Sequence, residues 1–135
     1  MPYSQSSAEH PSKTIAALVG PALCAMGLSM LFNRAEMAVM VAQISNDYGL
    51  IFLSGVLLLI AGLAIVRVHN IWPRDWRSIV TAIGWLAVIS GLIRILFFRQ
   101  LAEMARQVLQ WMALLPVASL VMLGLGAFLS LKAFR

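Results

Sequence analysis

Long runs of apolar residues, separated by short polar segments, dominate the chain. No charged side chain occurs in residues 14–32, 48–66 or 107–131, and a shorter uncharged run, 78–93, ends at Arg94. A hydrocarbon core about 30 Å thick requires about 20 helical residues to cross it, and a helix satisfies its own backbone hydrogen bonds there. The pattern therefore predicts an all-α fold, a bundle of four transmembrane helices. The predicted spans are residues 14–32, 48–68, 78–98 and 111–131.

Composition supports a membrane environment and changes the meaning of the basic charge. The chain is 61% hydrophobic and 11% charged, whereas a soluble domain carries about 25% charged residues. The net charge of +5 could indicate nucleic-acid binding, but the basic residues cluster at the ends of the predicted spans, beside anionic headgroups. We therefore expect membrane lipids as partners and no nucleic acid. The polar, Pro- and Ser-rich residues 1–13 predict a disordered tail before a membrane domain at 14–135.

The tetrapeptide AEMA occurs at residues 35–38 and again at 102–105, an offset of 67. It indicates an internal repeat in which each half contributes a span, a short helix and a span, so that the bundle consists of two similar helical hairpins. Chance is the alternative, since alanine and methionine are abundant. Residues 33–46 and 98–112 alternate apolar and polar stripes, which predicts two short amphipathic helices at the interface. They could equally be extensions of the first and third spans.

The polar stretch HNIWPRDW, residues 69–76, joins the two halves. Asn70 fits the left-handed residue that closes a helix, and His69 would lie among the exposed last carbonyls. Asp75 could cap the third span, and Trp72 and Trp76 fit the membrane interface. A metal or catalytic site is the alternative, but the chain has only two histidines, so we expect no metal, cofactor or catalysis here. The predicted lipid or partner contacts are His69, Asn70, Trp72, Arg74, Asp75, Trp76 and Arg77.

Three further charged residues are candidates for an ion or substrate path. Arg94 ends the third span, and charges inside spans are usually functional; the alternative is that its side chain extends outward to the headgroups. Glu36 and Glu103 occupy equivalent positions in the AEMA repeat and would face the same aqueous side. They could form a paired carboxylate site for cations, or they could be solvated glutamates balanced by nearby arginines.

Two resemblances bear on location and function. With HNIW at 69–72 and the segment TAIGW at 81–85, the chain resembles small four-span bacterial inner-membrane proteins that have an HN-x-W turn and a T-x-x-GW segment. That resemblance covers about a third of the chain and implies an inner-membrane location but no activity. In size and span count the chain also resembles the small multidrug resistance family. That family has an essential glutamate within its first span, whereas residues 14–32 contain no acidic residue, so its cation exchange does not carry over.

The sequence favours a non-enzymatic function. The side with both termini carries six Lys and Arg residues and the opposite side four, which favours cytoplasmic termini. Small residues recur along each span and permit close helix contacts in lipid. We therefore expect an accessory or assembly subunit that binds other membrane helices and anionic lipid, as a homo-oligomer or within a larger complex. The alternative is a small homo-oligomeric transporter or channel.

Overall fold

The computed structural model describes the backbone of residues 3–70, 72 and 74–135, and the side chains from Pro11 onward except at positions 71, 73, 109 and 112. This part of the chain is all-α and contains no strand. Six α-helices follow one another, with a 3-10 helix at Leu109–Leu114 before the last. They are α1 (Tyr3–Phe32), α2 (Arg34–Ser45), α3 (Tyr48–Val68), α4 (Arg77–Leu96), α5 (Phe98–Val108) and α6 (Leu115–Phe134).

Four of these helices are long and apolar enough to cross a membrane, which makes the chain a multi-pass membrane protein and confirms the predicted fold class. The candidate spans are Pro11–Phe32, Tyr48–Val68, Arg77–Leu96 and Leu115–Phe134. The fourth begins later than residue 111, because Trp111 has non-helical dihedral angles (φ −100°, ψ 38°) in the 3-10 segment. The third ends before residue 98, because Phe97 leaves the helical region (φ −124°, ψ 37°).

The N-terminal segment is helical in the part that the structure describes, and the disordered tail stays a prediction. Helix α1 begins at Tyr3, and the Ser12 side chain is buried. A hydrogen bond between Ser12 and His69 attaches α1 to the turn after α3.

The four spans form two antiparallel pairs, α1 with α6 and α3 with α4. Each half of the chain runs span, short helix, span, as predicted, but each close pair takes one helix from each half. Between the pairs, Ala16 of α1, Val80 of α4 and Leu129 of α6 form a buried apolar cluster. Close contact within each pair therefore joins the first half of the chain to the second half.

Glycines permit that close contact in both pairs. A Cβ atom on Gly126 of α6 would lie 2.7 Å from the backbone nitrogen of Cys24 and 2.8 Å from the carbonyl oxygen of Gly20, both in α1. In the other pair, a Cβ on Gly62 would lie 2.6 Å from the nitrogen of Val88 in α4. Helices in lipid associate mainly through such packing, because lipid tails are as apolar as the side chains.

The short helices α2 and α5 contact each other at one end of the bundle. Each is separated from the preceding span by a single non-helical residue, Asn33 (φ −112°, ψ 47°) or Phe97. Arg106 Nη2 donates a hydrogen bond to Asn46 Oδ1 at 2.7 Å, which links α5 to the end of α2. Placement of these helices in the headgroup plane stays a prediction.

Candidate functional site

The turn between α3 and α4 is organised around a buried histidine. His69 has no exposed surface. Its Nε2 atom lies 2.5 Å from the Ser12 hydroxyl, and its Nδ1 atom lies 2.9 Å from the Thr81 hydroxyl. Ser12 and Thr81 are themselves fully buried. The imidazole therefore joins α1, α3 and α4 inside the protein and does not face lipid.

The hydrogen bonds indicate a neutral imidazole with its proton on Nδ1. The Thr81 hydroxyl donates to the His69 carbonyl oxygen at 3.3 Å, so its lone pair is available to accept Nδ1–H. Nε2 then accepts the Ser12 hydroxyl proton. Burial lowers the pKa of His69 from its usual value of 6.5, and the positive charge of Arg77 lowers that pKa further, against an opposing effect of a backbone hydrogen bond. The neutral form is thus the one that the fold selects.

Asn70 does not close α3 in the left-handed conformation, because no described non-glycine residue has a positive φ. Helix α3 ends at Val68, and His69 follows it in a partly extended conformation (φ −140°, ψ 77°) with its N–H bonded to the carbonyl of Ile65 at 2.7 Å. His69 leaves the helix in this way because its ring is held by Ser12 and Thr81. Asn70 itself is exposed.

The remaining predicted contact residues of HNIWPRDW form the outer surface of the turn. Trp72 is 63% exposed, and Arg74 and Asp75 are exposed. The Asp75 carboxylate accepts the Trp76 backbone N–H at 2.7 Å and lies 3.7 Å from Nε of Arg77. Asp75 thus stabilises the start of α4, while Trp76 and Arg77 are only half-buried. These groups are available for lipid or partner contact, and that role stays a prediction.

At the opposite end of the bundle, Arg94 lies in an apolar cavity of about 380 Å³. Its Nη1 atom donates a hydrogen bond to the Ser54 hydroxyl of α3 at 3.0 Å, so the guanidinium is directed toward α3 and is half-buried. The lining comes from α2, α3, α4 and α5. It consists of Val41, Ile44, Ser45, Leu50, Ile51, Ser54, Arg94, Leu101 and Ala105.

A second, smaller cavity of about 160 Å³ lies beside the first and has no charged residue in its lining. Val41 of α2 contributes to both cavities. The lining consists of Met37, Ala38, Val41, Val108, Trp111, Leu114, Leu115 and Ala118.

The structure does not place the two glutamates in a common cavity with Arg94. Glu36 lies in the first turn of α2 and Glu103 in the middle of α5, and both are exposed. Neither lines either cavity described above. Among the residues that the structure describes, no cluster of three or more His, Cys, Asp or Glu side chains could hold a metal ion.

Sequence reasoning missed Ser12, Thr81 and Ser54, the partners of His69 and Arg94. Thr81 and Ser54 are polar residues within spans, a signal that points to an internal hydrogen bond. Ser12 gave no such signal, since serine in a polar tail is ordinary.

Comparison with protein-family models, with curated proteins and with solved structures found no match for this chain. The structure alone therefore defines the class, an integral membrane protein with four candidate spans arranged as a helical bundle.

Proposed function

We propose that this protein is a non-enzymatic accessory or assembly subunit of the inner membrane that binds a transmembrane helix of another protein and anionic lipid. The observation that carries the proposal is an open apolar groove of about 460 Å³ between α1 and α3. The His69 imidazole is hydrogen-bonded to Ser12 and Thr81 inside the protein, which also supports a structural and not a catalytic role for the turn. The basic residues lie at the span ends, where anionic headgroups are the nearer partner than nucleic acid.

The groove has the lining that a partner helix requires. Ala61 and Ala64 of α3 form one wall and are exposed, and Leu18 of α1 forms part of the other and is 71% exposed. Small residues let two backbones approach closely, while larger apolar residues supply packing area. The full lining is Pro11, Thr14, Ile15, Leu18, Val19, Ala61, Ala64, Ile65 and Val68.

We also propose an internal duplication with an offset of 64 residues, in place of the 67 that AEMA gives, as the origin of this groove. Gly20 and Gly27 of α1 recur as Gly84 and Gly91 of α4 at that offset, and Gly62 recurs as Gly126. A shift of 64 residues places α1 on α4 and α3 on α6, so the pair α1–α6 corresponds to the pair α4–α3. The helix breaks at residues 33 and 97, after α1 and α4, are also 64 residues apart. A duplication of this kind relates the two halves by an axis along the membrane normal.

At the same offset of 64 residues, the apolar groove corresponds to a charged groove between α4 and α6. Residues 11, 14 and 15 of the apolar groove correspond to Asp75, Ser78 and Ile79 of the charged groove. Residues 64 and 68 correspond to Phe128 and Lys132. Lys132 lies 5.9 Å from the centre of the Phe128 ring. Arg74 adds a second positive charge, and the Asp75 carboxylate offsets one of the two. This groove suits anionic headgroups on the side of the termini, which the positive-inside bias assigns to the cytoplasm.

Substitution of Ala64 tests the helix-docking proposal. Ala64→Phe introduces the side chain that the charged groove already has at its related position, so it is expected to fill the apolar groove and abolish co-purification of a foreign membrane protein in mild detergent. Leu63→Phe is the matched control, because Leu63 is 52% exposed but does not line the groove. Co-purification is measured by mass spectrometry, with a photoactivatable side chain at position 61 to locate the cross-link in the partner.

Two results would contradict this function. A partner that binds the Ala64→Phe variant as well as the unsubstituted protein would show that the groove is not the docking site. A homo-oligomer with no foreign protein, whose liposome flux is lost on Glu36→Gln plus Glu103→Gln, would support the transporter or channel instead.

A further inference from the structure

We infer that the cavity around Arg94 is a binding site for one anionic phospholipid, with the phosphate on the guanidinium and an acyl chain against the apolar lining. This inference deepens the lipid-binding part of the proposed function, at a different site from the charged groove near the termini. It does not depend on a partner helix.

The charge of Arg94 is not balanced within the described part of the protein. The ion pair found there within 4.0 Å joins Arg77 and Asp75 at the other end of the bundle, and the one hydrogen bond described for the Arg94 side chain goes to Ser54. An arginine within a span is costly unless it meets an anion or water. A guanidinium has five N–H donors in a planar fork that matches phosphate oxygens, so most of the donor capacity of Arg94 is available to a ligand.

The remainder of the cavity selects a ligand with hydrocarbon beside its charge. Its two serines already donate their hydroxyl protons to backbone carbonyls, Ser45 to Val41 at 2.6 Å and Ser54 to Ile51 at 2.8 Å. The other lining residues are apolar, so a small hydrated anion would lose water without replacement hydrogen bonds. A volume of about 380 Å³ lies within the usual range of ligand pockets.

The position of the cavity also fits a lipid. Arg94 lies in the last turn of α4, where the candidate span ends and α5 follows, and the end of a span is where a headgroup phosphate and an acyl chain would both be within reach. A phospholipid can enter sideways from the bilayer at this depth.

The second cavity shows that the charge is a specific feature of one half of the protein. At an offset of 64, Ile44, Leu50 and Ile51 of the Arg94 cavity correspond to Val108, Leu114 and Leu115 of the second cavity. Ser54 corresponds to Ala118, which lines the second cavity, and Arg94 corresponds to Met30 of α1. Two related cavities therefore differ in an arginine–serine pair, and only the cavity with that pair has a cation in its lining.

Lipid retention by the purified full-length protein tests the inference. Native mass spectrometry from micelles with equal amounts of phosphatidylglycerol and phosphatidylcholine is expected to show one retained phosphatidylglycerol per chain that Arg94→Gln releases. Loss of a charge-assisted hydrogen bond predicts about ten- to hundredfold weaker retention. Arg67→Gln is the matched control, because it removes the same charge from an exposed position in the last turn of α3.

A second variant keeps the test decisive if Arg94→Gln does not fold. Ala105→Leu leaves Arg94 in place but fills the cavity from α5, and it is expected to release the same lipid, whereas Ala118→Leu in the second cavity is not. Equal retention of phosphatidylcholine, equal loss in Arg67→Gln and Arg94→Gln, or displacement of the lipid by inorganic phosphate or oleate would overturn the inference. Loss of lipid with intact partner binding, or the reverse, separates this site from the helix-docking groove.

Discussion

Replacing Gly126 with alanine is expected to lower the free energy of unfolding by about 1–3 kcal/mol, the usual cost of adding a methyl group to a tightly packed interface. The added carbon would lie 2.7 Å from the Cys24 nitrogen and 2.8 Å from the Gly20 oxygen. Both are backbone atoms of α1, which cannot move aside as a flexible side chain would. The substitution should therefore separate α1 from α6. Unfolding in mixed micelles of increasing SDS content, followed by circular dichroism, measures the change.

Gly124 provides the matched control, two residues away on the same helix. A Cβ atom at this position has nothing within 4 Å, so Gly124→Ala should leave the packing intact and stabilise the protein slightly through the higher helix propensity of alanine. Equal destabilisation by Gly124→Ala and Gly126→Ala would mean that α6 does not present Gly126 to α1.

Replacing His69 with alanine is expected to lower the free energy of unfolding by about 2–4 kcal/mol, because it leaves a cavity and removes one hydrogen-bond partner from each of two buried hydroxyls. Ser12 and Thr81 lie in different helices, α1 and α4, so the substitution should weaken the junction of α1 with the turn. The same SDS titration measures the effect. Asn70→Ala is the neighbouring control, because Asn70 is exposed, and it should change the stability by less than about 0.5 kcal/mol.

The pH dependence of the free energy of unfolding provides an independent test of the burial of His69. Its pKa is lowered in the folded protein, so the unfolded state binds the proton more readily. The stability contribution is complete above pH 6.5, the ordinary pKa, and declines as the pH falls below that value toward the folded pKa. His69→Ala should lack this decline. An unsubstituted protein with constant stability between pH 7.5 and 5, or a variant with the same decline, would contradict the account.

Hydropathy predicted the four spans because membrane insertion depends on a local property, the apolar character of about 20 consecutive residues. It did not predict which spans pair. Glycines seven residues apart occur in α1, α3 and α4 alike (Gly20 and Gly27, Gly55 and Gly62, Gly84 and Gly91), so each helix has a face suited to close contact with any of the others. The choice of partner depends on how those faces fit in three dimensions.

The sequence identified His69 and Arg94 as notable but misjudged their surroundings. A histidine in a polar turn was expected to be exposed, and its burial depends on Ser12, which lies 57 residues away in α1. The Ser54 partner of Arg94 is 40 residues away in α3. In both cases the tertiary arrangement selects the partner; a polar residue within a span, such as Thr81 or Ser54, indicates an internal hydrogen bond but not the residue to which it is made.

Cross-linking from the native cysteine tests the helix pairing most directly. Cys24 is the only cysteine of the chain, and its thiol points toward the Leu123 carbonyl of α6 at 4.0 Å. A protein with Leu123→Cys, oxidised in native membranes, should form an intramolecular disulfide between positions 24 and 123, seen as a linked peptide by mass spectrometry. A protein with Val56→Cys in α3 should not form a link to Cys24. A link from Cys24 to position 56 without one to position 123 would instead place α1 against α3. That result would contradict the pairing of α1 with α6 and of α3 with α4, on which the grooves and cavities depend.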